Sequence, residues 1–542
     1  MAHTARANQD QSKPKRRVGT GWKLGAFVRD QDGAITGLSV FLFLILLMIG
    51  GIGVDIMYSE MERTKLQQTL DRAVLAAADL EQERDPKLVV ADYFTKAGME
   101  KYLSSVTVTE GIGFRNVTAT ATTSIDTMFM KMLGIETLTV PAAGAAEESI
   151  GNVELSLVLD ISGSMGSNKR LANLKVAAKD FVDTLLQHTE EGNLSISIVP
   201  YATQVNAGEP ILSKYNVSQE HSYSHCVNFI PDQFSKHGLD RAEPLERTMH
   251  FDPFTYSEAP IDLPVCPTRA GSQILPLTDD RAELHAYIDS MTHGGNTSID
   301  LGMKWGASLL DPSMQSVVTE LIDEGEVESK FAGRPSSYDD FMVLKVVVIM
   351  SDGQHTDQYF LNPSMRDTLS PVWYNAKEDK YSVYHSKGKY NYFWPHTGTW
   401  HDYPYGNGEN SVCLTNDNCA IHENEDEAVQ LMNKDLTAQA SLKWIASELF
   451  YFSNSAYADW FTSAFSKKNA SAKDNQLKNI CSITKDQGVI VFAIGFEAPR
   501  QGRRVLENCA SSDSHYFDAK GLEISDAFET IAVAIRQLRL TQ

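Results

Sequence analysis

For 22 positions, from Gly33 to Val54, the chain carries no charged side chain. As a helix rising about 1.5 Å per residue, that stretch covers a hydrocarbon core of roughly 30 Å. Such a segment divides a chain between the two sides of a membrane. Seven Lys or Arg stand against three Asp in residues 1–33, and Asp55, Glu60 and Glu62 follow the apolar run. Positive residues stay inside, so the N-terminus is expected in the cytoplasm and the bulk of the chain outside. The run exceeds the apolar region of a secretory signal, and no small-x-small site closes it, which favours an uncleaved anchor. A net charge of −22 argues against a nucleic-acid partner.

At 542 residues the chain is too long for one ordinary domain. Residues 1–32 read as a basic cytoplasmic tail, and 33–57 as the transmembrane helix. Residues 58–150 read as a helical extension and a small α+β stalk. Met61, Leu66, Leu70, Ala73, Val74 and Ala77 recur at helical spacing, and Asp85–Pro86 is expected to end that helix. Val106–Thr109 and Val117–Thr122 alternate as strands do. Phe129–Leu133 predicts a short helix, Leu138–Val140 a last strand and Ala142–Ala146 a linker.

From Val153 strands and helices alternate. Strands are expected at Val153–Leu159, Leu194–Val199, Val343–Met350, Gly488–Gly495 and His515–Asp518. Helices are expected at Arg170–Leu186, Ile299–Leu310, Asn475–Lys485 and Ile524–Leu538. Residues 151–542 therefore predict an α/β unit, a mostly parallel sheet covered on both faces. Two insertions interrupt it, at about 210–290 and about 354–470, and loops of that length are expected to be ordered. Six cysteines, all beyond the anchor, suit disulfides in an oxidising compartment. Pairing of sequence neighbours gives Cys226–Cys266, Cys413–Cys419 and Cys481–Cys509.

The chemistry concentrates just past two apolar strands. Asp160, Ser162 and Ser164 form D-x-S-x-S after Leu157–Val158–Leu159. Asp352 sits in S-D-G after Val346–Met350, and Thr297 lies in Gly294–Gly295–Asn296–Thr297–Ser298 between them. Compact oxygen donors at the ends of parallel strands suit a hard divalent cation. Hydrolytic patterns are absent from the sequence: there is no G-x-S-x-G, P-loop or H-E-x-x-H. His355, just after the Asp352 loop, reads first as an ordinary loop histidine and second as a group near the cation. The second insertion holds Trp373, Tyr374, Tyr381, Phe393, Trp394, Trp400 and Tyr405, with His385, His396 and His401 among them. With Tyr384, Tyr390, Tyr392 and Tyr403 in the same run, these read first as the insertion's own core, second as a platform for glycan or protein, and third as a metal site through the three histidines.

D-x-S-x-S, then Thr297, then S-D-G resembles the metal-ion-dependent adhesion site (MIDAS) of von Willebrand factor A domains. Asp32–Gly33–Ala34, Gly53–Val54–Asp55 and Leu66 through Ala78 resemble TadE/TadG-type proteins of tight-adherence (Flp) pilus assembly. TadG-like proteins join such an anchor to a C-terminal A domain. The resemblance implies that Ser162, Ser164 and Thr297 ligate the metal through hydroxyls, and that Asp160 and Asp352 act mainly through bound waters. It implies Mg2+, with Ca2+ or Mn2+ able to substitute, and a protein ligand offering an acidic side chain, such as a pilus or secretion component. It places the chain in a bacterial inner membrane with its bulk in the periplasm, as an assembly or adhesion protein and not an enzyme. A metal-dependent envelope enzyme and a purely structural protein are the alternatives. TadE relatives carry Glu five residues into the mature apolar segment. Here Ala34, Ile35, Thr36, Gly37 and Leu38 follow Gly33, so prepilin-peptidase processing is not expected.

Overall fold

The computed structural model describes residues 32–541 except 80–81, 83, 112–113, 150, 188, 190, 341, 387–389, 407, 416–417 and 425–427. The basic tail expected over 1–32 lies almost wholly outside the described residues. The chain divides into two compact units, Met1–Glu148 and Ser149–Gln542.

In the first unit, α1 (Asp32–Ala78) is one continuous helix of 47 residues. From Ile35 onward it is long and apolar enough to cross a membrane. Its later half buries Leu66, Leu70, Ala73, Val74 and Ala77, the residues at helical spacing, against Val90, Phe94, Val117 and Ala119. The helix stops at Ala78, short of the expected Arg84. Asp85–Pro86, read as a terminator, instead starts α2 (Pro86–Lys96). The Asp85 carboxylate accepts the Lys87 backbone N–H at 2.8 Å, and Pro86 fills a first-turn position where its missing N–H costs nothing. Strands β1 (Leu103–Gly111), β2 (Phe114–Asp126) and β3 (Thr137–Ser149) form a sheet in that order. The expected linker Ala142–Ala146 is part of β3. Its small residues let the strand lie on α1: a Cβ on Gly144 would stand 3.0 Å from Leu70, and Gln67 donates to the Ala143 carbonyl at 3.0 Å.

The second unit is built on six strands. They are β4 (Asn152–Asp160), β5 (Leu194–Tyr201), β6 (Leu275–Thr278), β7 (Val343–Ser351), β8 (Ile490–Phe496) and β9 (Tyr516–Ala519). Their spatial order is β9-β8-β7-β4-β5-β6. All neighbours pair in parallel except β5 with β6. Counted within the unit this is the doubly wound order 3-2-1-4-5-6, an A-type sheet as the resemblance implies. β4, β5 and β7 are buried almost throughout, so each alternates its side chains between two apolar layers. Helices α3 (Arg170–Leu186), α4 (Arg281–Ser290) and α8 (Glu523–Thr541) cover one face. Helices α5 (Ile299–Ser308), α6 (Ala470–Asp486) and α7 (Arg500–Cys509) cover the other.

The first interruption is not all insertion: β6 and α4, inside the span read as 210–290, belong to the sheet and its cover. The remainder folds together with the second insertion. Met249, Phe251 and Val265 share one core with Val372, Tyr381, Phe393, Leu436 and Ile445. Tyr381 and Phe393 of the aromatic run lie in that core and Tyr374 and Trp400 pack against it, whereas Tyr384 and Tyr390 are exposed. Cys226–Cys266 and Cys481–Cys509 are disulfide-bonded. Cys413 and Cys419 face each other across a hairpin, their side chains lying outside the described residues.

α5 lies close on the sheet because it presents glycines to it. A Cβ on Gly306 would stand 2.5 Å from Val158 Cγ2, and one on Gly302 2.6 Å from the Tyr201 ring. Gly306→Ala will destabilise the second unit by about 1–3 kcal/mol through overpacking. Val158→Ala in the same chain will recover part of that loss, as read by urea unfolding of the detergent-solubilised protein.

Candidate functional site

The carboxyl ends of β4 and β7 lie side by side where the chain order turns in opposite directions, the position at which open α/β sheets bind ligands. Three loops meet there. The first follows β4, and the Ser162 backbone N–H donates to Asp160 Oδ1 at 2.8 Å. It is stitched to the second by Gly163 N–H to Gly295 O at 2.9 Å and Gly294 N–H to Ile161 O at 3.0 Å. Gly163 permits this approach, since its Cβ would stand 3.2 Å from the Gly295 carbonyl. The second loop joins the third through Thr297 N–H to Thr356 Oγ1 at 2.9 Å and Thr356 N–H to Thr297 O at 3.2 Å.

The five expected side chains are brought together. Ser164 Oγ donates to Asp352 Oδ1 at 2.7 Å and lies 3.1 Å from Ser162 Oγ. A Cβ placed on Gly353 would be 3.4 Å from Thr297 Oγ1 and 3.8 Å from Ser164 Oγ, so the threonine hydroxyl borders the same small space. Asp160 lies fully buried beneath, with Oδ2 accepting the Ser351 hydroxyl at 2.6 Å. Both its oxygens are thus engaged, which makes it a brace for the first and third loops. Burial, reinforced by the charge of Asp352, pushes the Asp160 carboxyl up to about 7. Burial also raises Asp352, against the pull of Ser164 and Arg170.

Four residues of the site escape sequence reading. Arg170, at the start of α3, places its guanidinium 2.9 Å from Asp352 Oδ2 and, through Nε, 2.9 Å from Glu497 Oε2. Ser351 stands inside the S-D-G motif, so its neighbour was the available signal. Glu497 follows β8 without any motif. Lys473, fully buried in the first turn of α6, donates to Thr297 O at 2.8 Å, Ser298 Oγ at 2.7 Å and Thr356 O at 2.9 Å, pinning the second loop to the third. His355 is buried in the third loop. Its Nε2 accepts the Asp300 backbone N–H at 3.0 Å and its Nδ1 donates to Asp474 at 2.7 Å.

Among the described residues no group of three or more His, Cys, Asp or Glu side chains is arranged to hold a metal ion. What converges is three hydroxyls with two carboxylates, a donor set of hard oxygens alone. That set fits Mg2+, Ca2+ or Mn2+ and not a soft metal.

Residues 33–80 match the family model described as Putative Flp pilus-assembly TadE/G-like. The anchor segment is TadE/G-like. The six-stranded, doubly wound sheet follows this segment in the chain. No curated protein matches the chain. Among solved structures, the vWF domain of the type V pilus tip protein Mfa5 from Porphyromonas gingivalis is 14% identical. That comparison covers 72% of this chain and 96% of that one, at a TM-score of 0.31. The adhesive tip pilin GBS104 from Group B Streptococcus agalactiae is 14% identical over 71% of this chain and 100% of its own, at 0.27. Proximal thread matrix protein 1 from the mussel byssus, with a zinc-occupied MIDAS motif, is 12% identical over 71% of this chain and 46% of its own, at 0.26. At such scores the fold assignment rests on the strand order, not on these neighbours.

Two outcomes follow from this arrangement. Arg170 neutralises Asp352, so Arg170→Gln will tighten Mg2+ binding by roughly tenfold; weaker binding in calorimetry would show that Arg170 instead holds the loop in place. Burial raises the Asp160 carboxyl to about 7, and a cation beside it favours its ionised form. Mg2+ binding will therefore weaken as pH falls through about 7. Titrations in buffers of different ionisation enthalpy will detect the released proton. Without metal the sign reverses: the raised carboxyl favours folding at low pH, and that contribution is lost as pH rises towards about 7.

Proposed function

We propose that this is a single-pass protein of the bacterial inner membrane, with its N-terminus in the cytoplasm and its bulk in the periplasm. In this reading it serves tight-adherence (Flp) pilus assembly or adhesion by binding a protein partner through a divalent cation. The convergence of Ser162, Ser164, Thr297 and Asp352 at the switch point carries the reading. The TadE/G-like match over 33–80 supports the pilus association, and the apolar run of α1 supports the anchor.

Ser162, Ser164 and Thr297 would hold the ion through their hydroxyls. Asp352 would contribute through its carboxylate, and Asp160 would brace the loops. With few direct carboxylates the ion stays electron-poor, and when bound it supplies an open position for a partner's acidic side chain. Mg2+ suits this role because it keeps several waters and takes few carboxylates. The role is binding without turnover: His355, the imidazole beside the Asp352 loop, has both nitrogens engaged away from the hydroxyls.

Calorimetric titration of Mg2+, Mn2+ and Ca2+ into the detergent-solubilised full chain tests this. Saturable one-site binding is expected, weakened at least tenfold in a folded Asp352→Ala variant. Binding that survives Asp352→Ala unchanged would remove this site from the mechanism.

A further inference from the structure

The connection between β2 and β3 carries an apolar surface that none of the described residues covers. Met128 and Met132 are 79% and 72% exposed, and Leu133 and Ile135 are exposed beside them. The only charge from Thr127 to Ile135 is Lys131, also exposed. This tip is not a loose loop. The Thr127 hydroxyl donates to Ile135 O at 2.5 Å and the Thr127 N–H to Glu136 O at 2.9 Å. Ile135 N–H reaches Met130 O at 3.2 Å, and Gly134 turns the chain at φ +85°.

The tip is fastened to α1 at a definite height. Asp55 is 6% exposed, and its carboxylate accepts three backbone N–H groups: Met128 at 3.0 Å, Phe129 at 2.8 Å and Met130 at 2.7 Å. A carboxylate at the end of an apolar helix is costly unless it is satisfied in this way. The Phe129 ring lies on Gly51, where any Cβ would run into it. Gly51 falls inside the uncharged stretch Gly33–Val54, about 6 Å below Asp55 along the helix. Apolar exposure continues around α1 at the same level, through Val54, Ile56, Met57 and Tyr58. Tyr58 is of the type enriched at membrane interfaces.

We propose that residues 128–135 form a second membrane contact, a rigid tip seated in the bilayer leaflet where α1 emerges. The occupant of the apolar face is lipid, because the face is continuous with the surface of the apolar helix and is held at its depth. Met128, Met132 and Leu133 enter the boundary between headgroups and acyl chains, and Lys131 reaches the phosphates. Asp55 and Gly51 fix the tip to the anchor. The contact limits how the first unit can tilt about α1 where the helix leaves the membrane.

This inference rests on the anchor reading but not on the cation site. Single cysteines replacing Met132, Leu133, Leu42 or Leu75 in the full chain are labelled with a nitroxide, the unsubstituted chain serving as blank. The chain is reconstituted in vesicles of phosphatidylethanolamine and phosphatidylglycerol. Collision with oxygen against a water-soluble nickel chelate is then read by electron paramagnetic resonance. Leu42 lies within the apolar stretch, and Leu75 about 30 Å beyond Asp55. The oxygen-to-nickel ratio at positions 132 and 133 is expected to exceed that at 75 several-fold and to approach that at 42. A water-like ratio at 132 and 133 with a lipid-like ratio at 42 would overturn the tip and leave the anchor standing. A water-like ratio at 42 as well would overturn both. Protection from both colliders at 132 and 133 would show a protein cover, another copy or a partner, and would also overturn the proposal. Asp55→Ala is expected to raise label mobility at 132, and an unchanged spectrum would deny Asp55 its role.

Discussion

The ligand end of the sheet depends on one buried carboxylate. Asp160 ends β4 with no exposure, receives the Ser162 N–H on one oxygen and the Ser351 hydroxyl on the other, and so locks the D-x-S-x-S turn to the end of β7. A buried carboxylate is tolerated only when its lone pairs are taken up. Here the groups that satisfy it belong to the two loops whose relative position matters. Its protonation near neutral pH follows from the same burial, with the Asp352 charge a second cause. Structure and electrostatics at this end share one origin: two carboxylates brought close in a site where little water compensates them.

Two buried lysines extend the same logic. Lys473 gives its ammonium to the Thr297 and Thr356 carbonyls and to the Ser298 hydroxyl, joining the second and third loops. Lys304, in α5, donates to the carbonyls of Lys236, His237 and Gly238, tying the first insertion to the sheet's cover. Burial lowers the first to about 8 and the second to about 7. Each sits where a long chain departure returns to the sheet. Because the two insertions share a core, ordering one helps order the other, and the loops that carry the hydroxyls are held from both sides.

What was legible in the sequence follows from how local its causes are. Apolar runs buried on both faces announce parallel strands, and D-x-S-x-S and S-D-G sit at their ends because side chains there point into the open crevice. The edge strand Leu275–Thr278 was lost inside an insertion because it is four residues long, contains Pro276 and pairs antiparallel on one side only. The Ala142–Ala146 stretch read as a linker because alanine and glycine favour strands poorly, whereas contact with α1 decides their conformation. Asp85–Pro86 starts a helix instead of ending the one before it, which stops at Ala78, and that role shows only through the Lys87 N–H. Arg170, Glu497 and Lys473 were invisible as site residues: each comes from a distant element with no motif around it, and only the folded chain brings them to Thr297 and Asp352.

The most direct test of the central claim is a crystal structure of the protein grown with Mn2+, phased at the manganese absorption edge. The account predicts one anomalous peak among the loops at the ends of β4 and β7, about 2.0–2.3 Å from Ser162 Oγ and Ser164 Oγ. Thr297 and Asp352 should lie at that distance or one water away, with Asp160 still bound to Ser162 and Ser351. A structure from the same crystals with no peak there, or with manganese held elsewhere and the Arg170 guanidinium still on Asp352, would contradict it.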